Sequence, residues 1–361
     1  MKGLSNLGNQ LYRGQKSFNI VGKRKLWYSV SAVLLTLSFA VLGVKGLNLS
    51  IEFKGGAEFA AQVANPTTQT VSLARSAVTN AGTTAASVTI VGGDKIRVQT
   101  PSLSTEESVV VSKALADALG VAEQDVKIQL VGPTWGGEVS ANAARALVVF
   151  LVLVAIFLAI YFEWPMAVAA LLALAHDVII TVGIYALSGF EVSPATVIGF
   201  LTILGYSLYD TVVVFDKVKE NTKGITAGSR MTYSDAANLA VNQTLVRSIN
   251  TSIVALLPVV SILIVGVVRL GSGTLNDLAL SLFIGMIVGT FSSIFIATPF
   301  LAQLKERQPE MKALRKRVQS KRGKEGEYQV VDTQLPSSPI VSAAGPRQQR
   351  VKKTRSARKG K

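Results

Sequence analysis

Long apolar runs separated by short polar breaks dominate this chain. Runs of about twenty predominantly apolar residues, the length that crosses a hydrocarbon core, lie at 26–44, 143–162, 166–187, 192–215, 249–268 and 278–301. They predict six transmembrane helices and an α-helical integral membrane protein. The first run has full spanning length and is followed by "VKGLNLSIEF" instead of a small-residue cleavage site. It is expected to persist as a helix and not to be removed as a signal.

Between the first two runs the pattern changes to short alternation and helical spacing. "LSIEFKGGAEFAAQVA" reads as a strand with a Gly-Gly irregularity, and "TVSLARSAVTNAG" as a helix that stops at Gly82. "ASVTIVGGDKIRVQTP" reads as two strands around a Gly92-Gly93-Asp94 turn. "STEESVVVSKALADALG" opens like a capping box and closes on Gly120, and "DVKIQLVG" supplies the last strand. The order βαββαβ predicts a small ferredoxin-like α+β domain between helices 1 and 2. Two readings of Phe53, Gly55 and Gly56 are open: a joint through which helix movement reaches this domain, matched by Gly132, Gly136 and Gly137 on the return, or a β-bulge needed only for folding.

The other loops are short, except from Lys217 to about Arg247. There "KENTKGITAGSR" reads as a turn region and "TYSDAANLAVNQTLVRS" as a helix opened by a Ser/Asp cap and running into the fifth span. Beyond Leu304 the apolar periodicity is lost in a strongly basic, low-complexity tail, which predicts disorder.

Charge orients the pattern. The formal net charge is +15, yet residues 47–140 carry six basic and nine acidic groups, whereas residues 1–25 carry six basic and no acidic ones. From Ala302 onward there are seventeen basic and five acidic groups. Basic ends and an acidic first loop place both termini in the cytoplasm and the small domain outside. The expected organisation is a cytoplasmic segment at 1–25, helix 1 at 26–46, an extracytoplasmic domain at 47–140, helices 2–6 at 141–304 and a basic cytoplasmic tail at 305–361. The tail is expected to contact anionic lipid, with ribosome or nucleic-acid recruitment as the alternative.

Chemistry is sparse. The chain has no cysteine and a single histidine, His176, which removes thiol nucleophiles, disulfides and multi-histidine metal sites. No G-x-x-x-x-G-K-[ST] motif is present, so no ATP-hydrolysing site, cofactor or catalytic residue is expected. What stands out is Asp210 in "GYSLYDTVVVFDKVKEN". An acid at the centre of a spanning helix costs about 2.5–3.5 kcal/mol on insertion scales, and each Leu, Val, Ile or Phe returns only about 0.3–0.6. Arg247 enters at the foot of the next span at similar depth and is its candidate partner. Tyr206, one turn away, is a candidate hydrogen-bond donor to Asp210, and Asn250 and Thr251 continue a polar stripe beyond Arg247. A purely structural ion pair is the competing reading, weakened because buried pairs often add no net stability. His176 and Asp177 form a second polar pair, read as interhelical hydrogen bonding before proton relay. Gly285 and Gly289 have the spacing of a helix-packing face, and Pro258 predicts a kink in the fifth span.

The span-four run, the upstream "HDVIITVGIYALSGFEVSPATVIGFLTILGYS", the "QTLVRSINTS" start of span five and "IEFKGG" after span one resemble the SecD/SecF family. Those are paired accessory subunits of the bacterial Sec protein translocase within the resistance-nodulation-division (RND) superfamily, and the resemblance is to the smaller subunit over residues 20–305. It implies that Asp210 is a proton-titrating carboxylate, that Arg247 is its essential basic partner, and that SecD supplies a further acid across an interface. It further implies a SecDF complex in the plasma membrane that uses the proton-motive force at late stages of export. SecYEG, SecA, YidC-type factors and the unfolded exported polypeptide would be its partners, with no specific nucleic acid. A small-molecule exporter of the superfamily needs larger outward domains than this loop can form, and a non-transporting scaffold is the remaining rival.

Overall fold

The computed structural model describes residues 9–324 except 86, 92, 229 and 267–273. The disorder and the lipid contact expected of the tail beyond residue 324 lie outside the described residues. Six helices are long and apolar enough to cross a membrane. They are built from α1 (Arg24–Lys45), α5 (Pro133–Tyr161), α6 (Trp164–Ser188), α7 (Pro194–Thr222), α8 (Tyr233–Val265) and α9 (Thr274–Ser292), the last continued through a π-helical segment (Ser293–Ala297) into α10 (Thr298–Glu306). Spans α6, α7 and α9–α10 form the buried centre, while α1, α5 and α8 keep broad apolar faces outward. The core is rich in alanine, with Ala169, Ala170, Ala173, Ala237, Ala240 and Ala297 buried among Leu158, Leu204 and Phe215. Small side chains let helix backbones approach where lipid offers no hydrophobic drive for association.

Between α1 and α5 the chain builds a four-stranded antiparallel sheet backed by two helices. Its strands are β2 (Gly56–Gln62), β3 (Ser87–Val91), β4 (Lys95–Thr100) and β5 (Val126–Val131), in the order β3-β4-β2-β5. Helices α3 (Thr68–Asn80) and α4 (Thr105–Leu119) cover one face, burying Phe59, Val78, Ile96, Val98, Val111 and Leu115. The capping box expected at Ser104 is present: its side chain accepts from Glu107 N while Glu107 accepts from Ser104 N, and Gly120 closes the helix in the left-handed region. The element order β2-α3-β3-β4-α4-β5 is the one the periodicity predicts.

The Gly-Gly segment differs from expectation. Residues Ile51–Lys54 form a short helix, α2, and not the start of a strand. Gly55 (φ +76°) ends it, and β2 then pairs with β5 in unbroken register from Gly56 against Val131, so no bulge is present. The reason is close packing. A Cβ on Gly55 would lie 2.9 Å from Pro133 Cα, one on Gly56 2.6 Å from Thr100 O, and one on Gly136 2.8 Å from Phe53 O. The return is likewise no flexible point, because α5 begins at Pro133 and carries Gly136 and Gly137 in its first turns. The outward connections are a packed junction.

Two further segments also depart from the sequence reading. Helix α7 runs to Thr222, and α8 starts earlier than expected, capped by Thr232, whose side chain accepts from Asp235 N. Pro258, where a kink is expected, lies inside α8, which continues to Val265. The tail is not structureless at its start: Pro309–Lys324 form α11, which buries Leu314 and Val318 and ties Arg317 to Thr226 O at 3.0 Å and Arg322 to Asp235 at 2.8 Å. Its apolar stripe is only Met311, Leu314 and Val318, too thin to register against the surrounding lysines and arginines.

Gly55→Ala should lower the thermal midpoint of the full chain in detergent, because it adds left-handed strain of about 1–3 kcal/mol to a steric conflict with Pro133. Gly137→Ala, whose Cβ meets nothing within 4 Å, should raise it slightly, by the roughly 1 kcal/mol that Ala gains over Gly inside a helix.

Candidate functional site in the membrane bundle

Asp210 is 7% exposed, at the meeting point of α7, α8 and the π-helical turn after α9. Ser248 Oγ on α8 donates to its Oδ1 at 2.6 Å, and Ser293 Oγ in the π-helical turn donates to Oδ2. Among the described residues no cation pairs with it. The backbone explains how the last span reaches it. Gly285 and Gly289 sit directly against α7, where a Cβ would lie 2.2 Å from Ile203 Cδ1 and 2.9 Å from Ser207 Cβ respectively. That confirms their reading as a packing face. One turn later the helix widens into its π segment, with Thr298 Oγ1 donating to Ser293 O at 3.3 Å. Single π-helical turns recur at functional sites.

Arg247 is not the partner of Asp210. Successive residues on a helix are rotated by about 100°, and it is Ser248 that faces α7, which turns Arg247 onto the exposed outer flank of α8. The inward stripe of α8 is therefore Thr244, Ser248 and Ser252, all buried, and not Arg247, Asn250 and Thr251. Asn250 is exposed and Thr251 half-buried. Tyr206 likewise does not reach Asp210: its hydroxyl lies 3.3 Å from Ser252 Oγ, donating to it. Ser252 Oγ is 2.7 Å from Thr290 Oγ1, so the polar contact across α7, α8 and α9 extends one turn beyond the acid. The signal for the serines was present in the sequence as hydroxyls at i, i+4 and i+8 in an apolar window. Ser293 carries no such periodic mark.

His176 and Asp177 on α6 are both buried, 3% and 1% exposed. Their side chains meet at 3.2 Å (Nδ1 to Oδ1), and Ser207 Oγ of α7 donates to Asp177 Oδ2 at 2.5 Å. Of this pair Asp177 alone makes an interhelical hydrogen bond among the described residues, to Ser207 three residues from Asp210 on α7, while His176 bonds only its neighbour Asp177. Phe53 packs half-buried near Tyr185 and Val192 at the outer end, far along the chain from this centre. Among the described residues no group of three or more His, Asp or Glu is placed to hold a metal ion.

With this geometry in view the comparisons are specific. The family profile described as protein export membrane protein SecD/SecF, C-terminal, matches residues 110–307, and the SecD/SecF GG motif matches residues 40–67. The chain belongs to the SecD/SecF family. Protein translocase subunit SecF of Streptomyces coelicolor is 46% identical over 97% of this chain and 96% of that protein. The subunit of the same description from Mycobacterium tuberculosis H37Rv is 42% identical over 87% and 73%. Protein translocase subunit SecDF of Thermus thermophilus is 33% identical over 82% of this chain and 40% of its own length. A crystal structure of SecDF from that organism superimposes with a TM-score of 0.72 at 33% identity, covering 81% of this chain and 39% of that one. The chain thus spans about two-fifths of the SecDF structure. Membership of the SecD/SecF family makes it a multi-pass membrane protein with a role in protein translocation.

The hydroxyl cage can be tested energetically. Ser248→Ala with Ser293→Ala should destabilise the wild-type chain by about 1.5–3 kcal/mol per lost bond to the carboxylate. In an Asp210→Ala background most of that penalty should vanish. A double-mutant cycle by denaturant unfolding in detergent measures the difference, and equal penalties in both backgrounds would refute the cage.

Proposed function

We propose that this chain is the SecF-type half of a SecD–SecF pair that uses the proton-motive force to promote late stages of protein export, with Asp210 as the group that takes up and releases the proton. The observation that carries this reading is a buried carboxylate at the junction of three spans, held only by hydroxyls. An intramembrane ionisable group is by default functional. When ionised, the carboxylate accepts from Ser248 and Ser293. When protonated, it becomes a donor itself, so a serine hydroxyl must turn to another acceptor, such as Thr290 O, 3.2 Å from Ser293 Oγ. Contacts among α7, α8 and the π turn therefore differ between the two states, and a proton bound from outside and released inside becomes helix motion. No nucleotide-binding motif is needed for such a cycle.

The exposed flank supports a second bundle. Arg247 and Asn250 on α8, with Gly205 and Tyr209 on α7, are exposed at membrane depth. An arginine facing lipid there costs about 2.5–3.5 kcal/mol or more. A partner supplying an acid on this flank removes that cost, and the SecDF relative carries both halves in one chain. SecD is that partner, and Arg247 is its contact. Movement within the pair brings Arg247 and an acid together or apart and so biases Asp210 through its neighbour Ser248, with His176 and Asp177 supporting α7 from the other side.

The basic termini support a reading in which residues 1–25 and the tail from 305 lie in the cytoplasm of a plasma-membrane protein. The βαββαβ unit at 47–140 is then an outward-facing ferredoxin-like domain, joined to the bundle at 141–304 and positioned toward the exported polypeptide. SecYEG, SecA and YidC-type factors are the neighbours such a pair would serve, and the basic tail adds contact with anionic lipid.

Asp210→Asn, reconstituted with SecD and the translocon in vesicles, should insert and pair normally yet lose proton-driven stimulation of export down to the level seen without a gradient. Arg247→Met should keep the fold, since the side chain is exposed, and lose the same stimulation. Wild-type stimulation in Asp210→Asn would reduce the acid to a structural residue.

A further inference from the structure

The outer domain is attached to the bundle by more than its two peptide connections. Between α6 and α7 lies β6 (Glu191–Val192), which pairs in parallel with β1 (Asn48–Leu49) from the linker after α1. Ser50 N donates to Val192 O at 3.0 Å, and Asn48 Nδ2 donates to Gly189 O at 3.2 Å. The side chain of Glu191 then reaches the domain itself. Gln99 Nε2 donates to its Oε1 at 2.7 Å, and Arg97 Nη2 donates to its Oε2. Arg97 and Gln99 alternate on β4, so one face of one strand holds both oxygens of one carboxylate. That side chain is only 12% exposed, which removes most of the solvent screening that makes ordinary surface ion pairs weak.

Glu191 is also coupled tightly to the helix that carries Asp210. Only Val192 and Ser193 separate it from the first residue of α7. Ser193 caps that helix, accepting from Thr196 N at 3.3 Å, and Thr196 Oγ1 donates back to Glu191 O at 3.4 Å. An axial displacement of α7 is passed to Glu191 without an intervening flexible residue.

The strand that grips Glu191 has a second acceptor in reach. Gln99 Nε2 is shared with Glu58 Oε2 at 3.1 Å, and Arg97 Nη1 lies 4.0 Å from the same oxygen. Glu58 is on β2, the neighbouring strand of the same sheet. Its carboxyl is pushed above the usual range, first by burial and further by Glu191 and Glu52, against the opposing pull of Arg97 and Gln99. Release of Glu191 therefore leaves Arg97 and Gln99 with a waiting partner and relieves a crowded carboxylate. In the structure both carboxylates share these donors; a second arrangement with the donors on Glu58 alone would supply the alternative packing that transmits movement.

We infer that Glu191 is the coupling residue that ties helix α7 to the outer domain, handing Arg97 and Gln99 between itself and Glu58 as the helix moves. The inference rests on the reading of Asp210 as the proton site. It assigns to the domain a direct link to that helix which neither the glycine pair nor the linkers provide.

The test uses the full chain with SecD and the translocon in vesicles, measuring gradient-dependent proton flux and export side by side. Glu191→Arg and Arg97→Glu should each lower proton-driven export roughly tenfold or more, as loss of one member of a buried charged pair does, while proton flux through the complex persists. The double reversal should restore export to within a few-fold of wild type. Glu191→Gln, which keeps one acceptor and loses the charge, should fall between. Because the chain has no cysteine, single spin labels on the domain and on the outer end of α6 report the attachment independently of any proton chemistry: their distance distribution should broaden in Glu191→Arg and narrow again in the double reversal. Unchanged export in Glu191→Arg, no rescue by the double reversal, or an unaltered distance distribution would each overturn the inference. If Asp210→Asn alone is without effect while the distance change is seen, the proton reading has failed and the attachment stands.

Discussion

A carboxylate inside a helix bundle must find its hydrogen-bond donors within the protein, because the hydrocarbon around it supplies none. Much of the organisation of this bundle follows from meeting that need at Asp210. Ser248 is delivered by α8 and Ser293 by the last span, so three helices are committed to one side chain. The approach of the last span depends on Gly285 and Gly289 lying flat against Ile203 and Ser207, and the π-helical turn then presents Ser293. A second carboxylate, Asp177, is satisfied in the same way by Ser207 from the same helix. Helix α7 thus carries polar contacts to α6, to α8 and to the last span.

The outer domain is built onto this helix and does not hang from a loose tether. Its two chain connections are packed so closely that glycine is the only residue without a steric conflict at Gly55, Gly56 and Gly136. Its sheet grips the loop that starts α7 through Glu191. Close packing at the junction and the hydrogen-bonded grip on Glu191 are two separate attachments of the domain to the bundle. Arg247 is held on an outer face at membrane depth, a position that favours a second protein over lipid.

The sequence by itself determined what depends on local pattern. Six apolar runs of spanning length, basic ends, the βαββαβ order, the capping box at Ser104 and the packing glycines were all legible, because each is a matter of spacing along one element. The presence of Asp210 in an apolar run was equally plain. Its partners were not. Arg247 was preferred to Ser248 because charge is conspicuous and depth was the only coordinate available, whereas the choice between adjacent residues is made by helix rotation. That rotation is fixed by packing against α7 and the last span. Likewise, "FKGG" has a strand-like composition, yet contact with Pro133 and Thr100, remote in sequence, turned it into a helical end. Ser293, Glu191 and the helix of the early tail share the same reason. Each acquires its role from a neighbour more than seventy residues away, so only the tertiary structure, which sets rotation and contact between elements, could decide it.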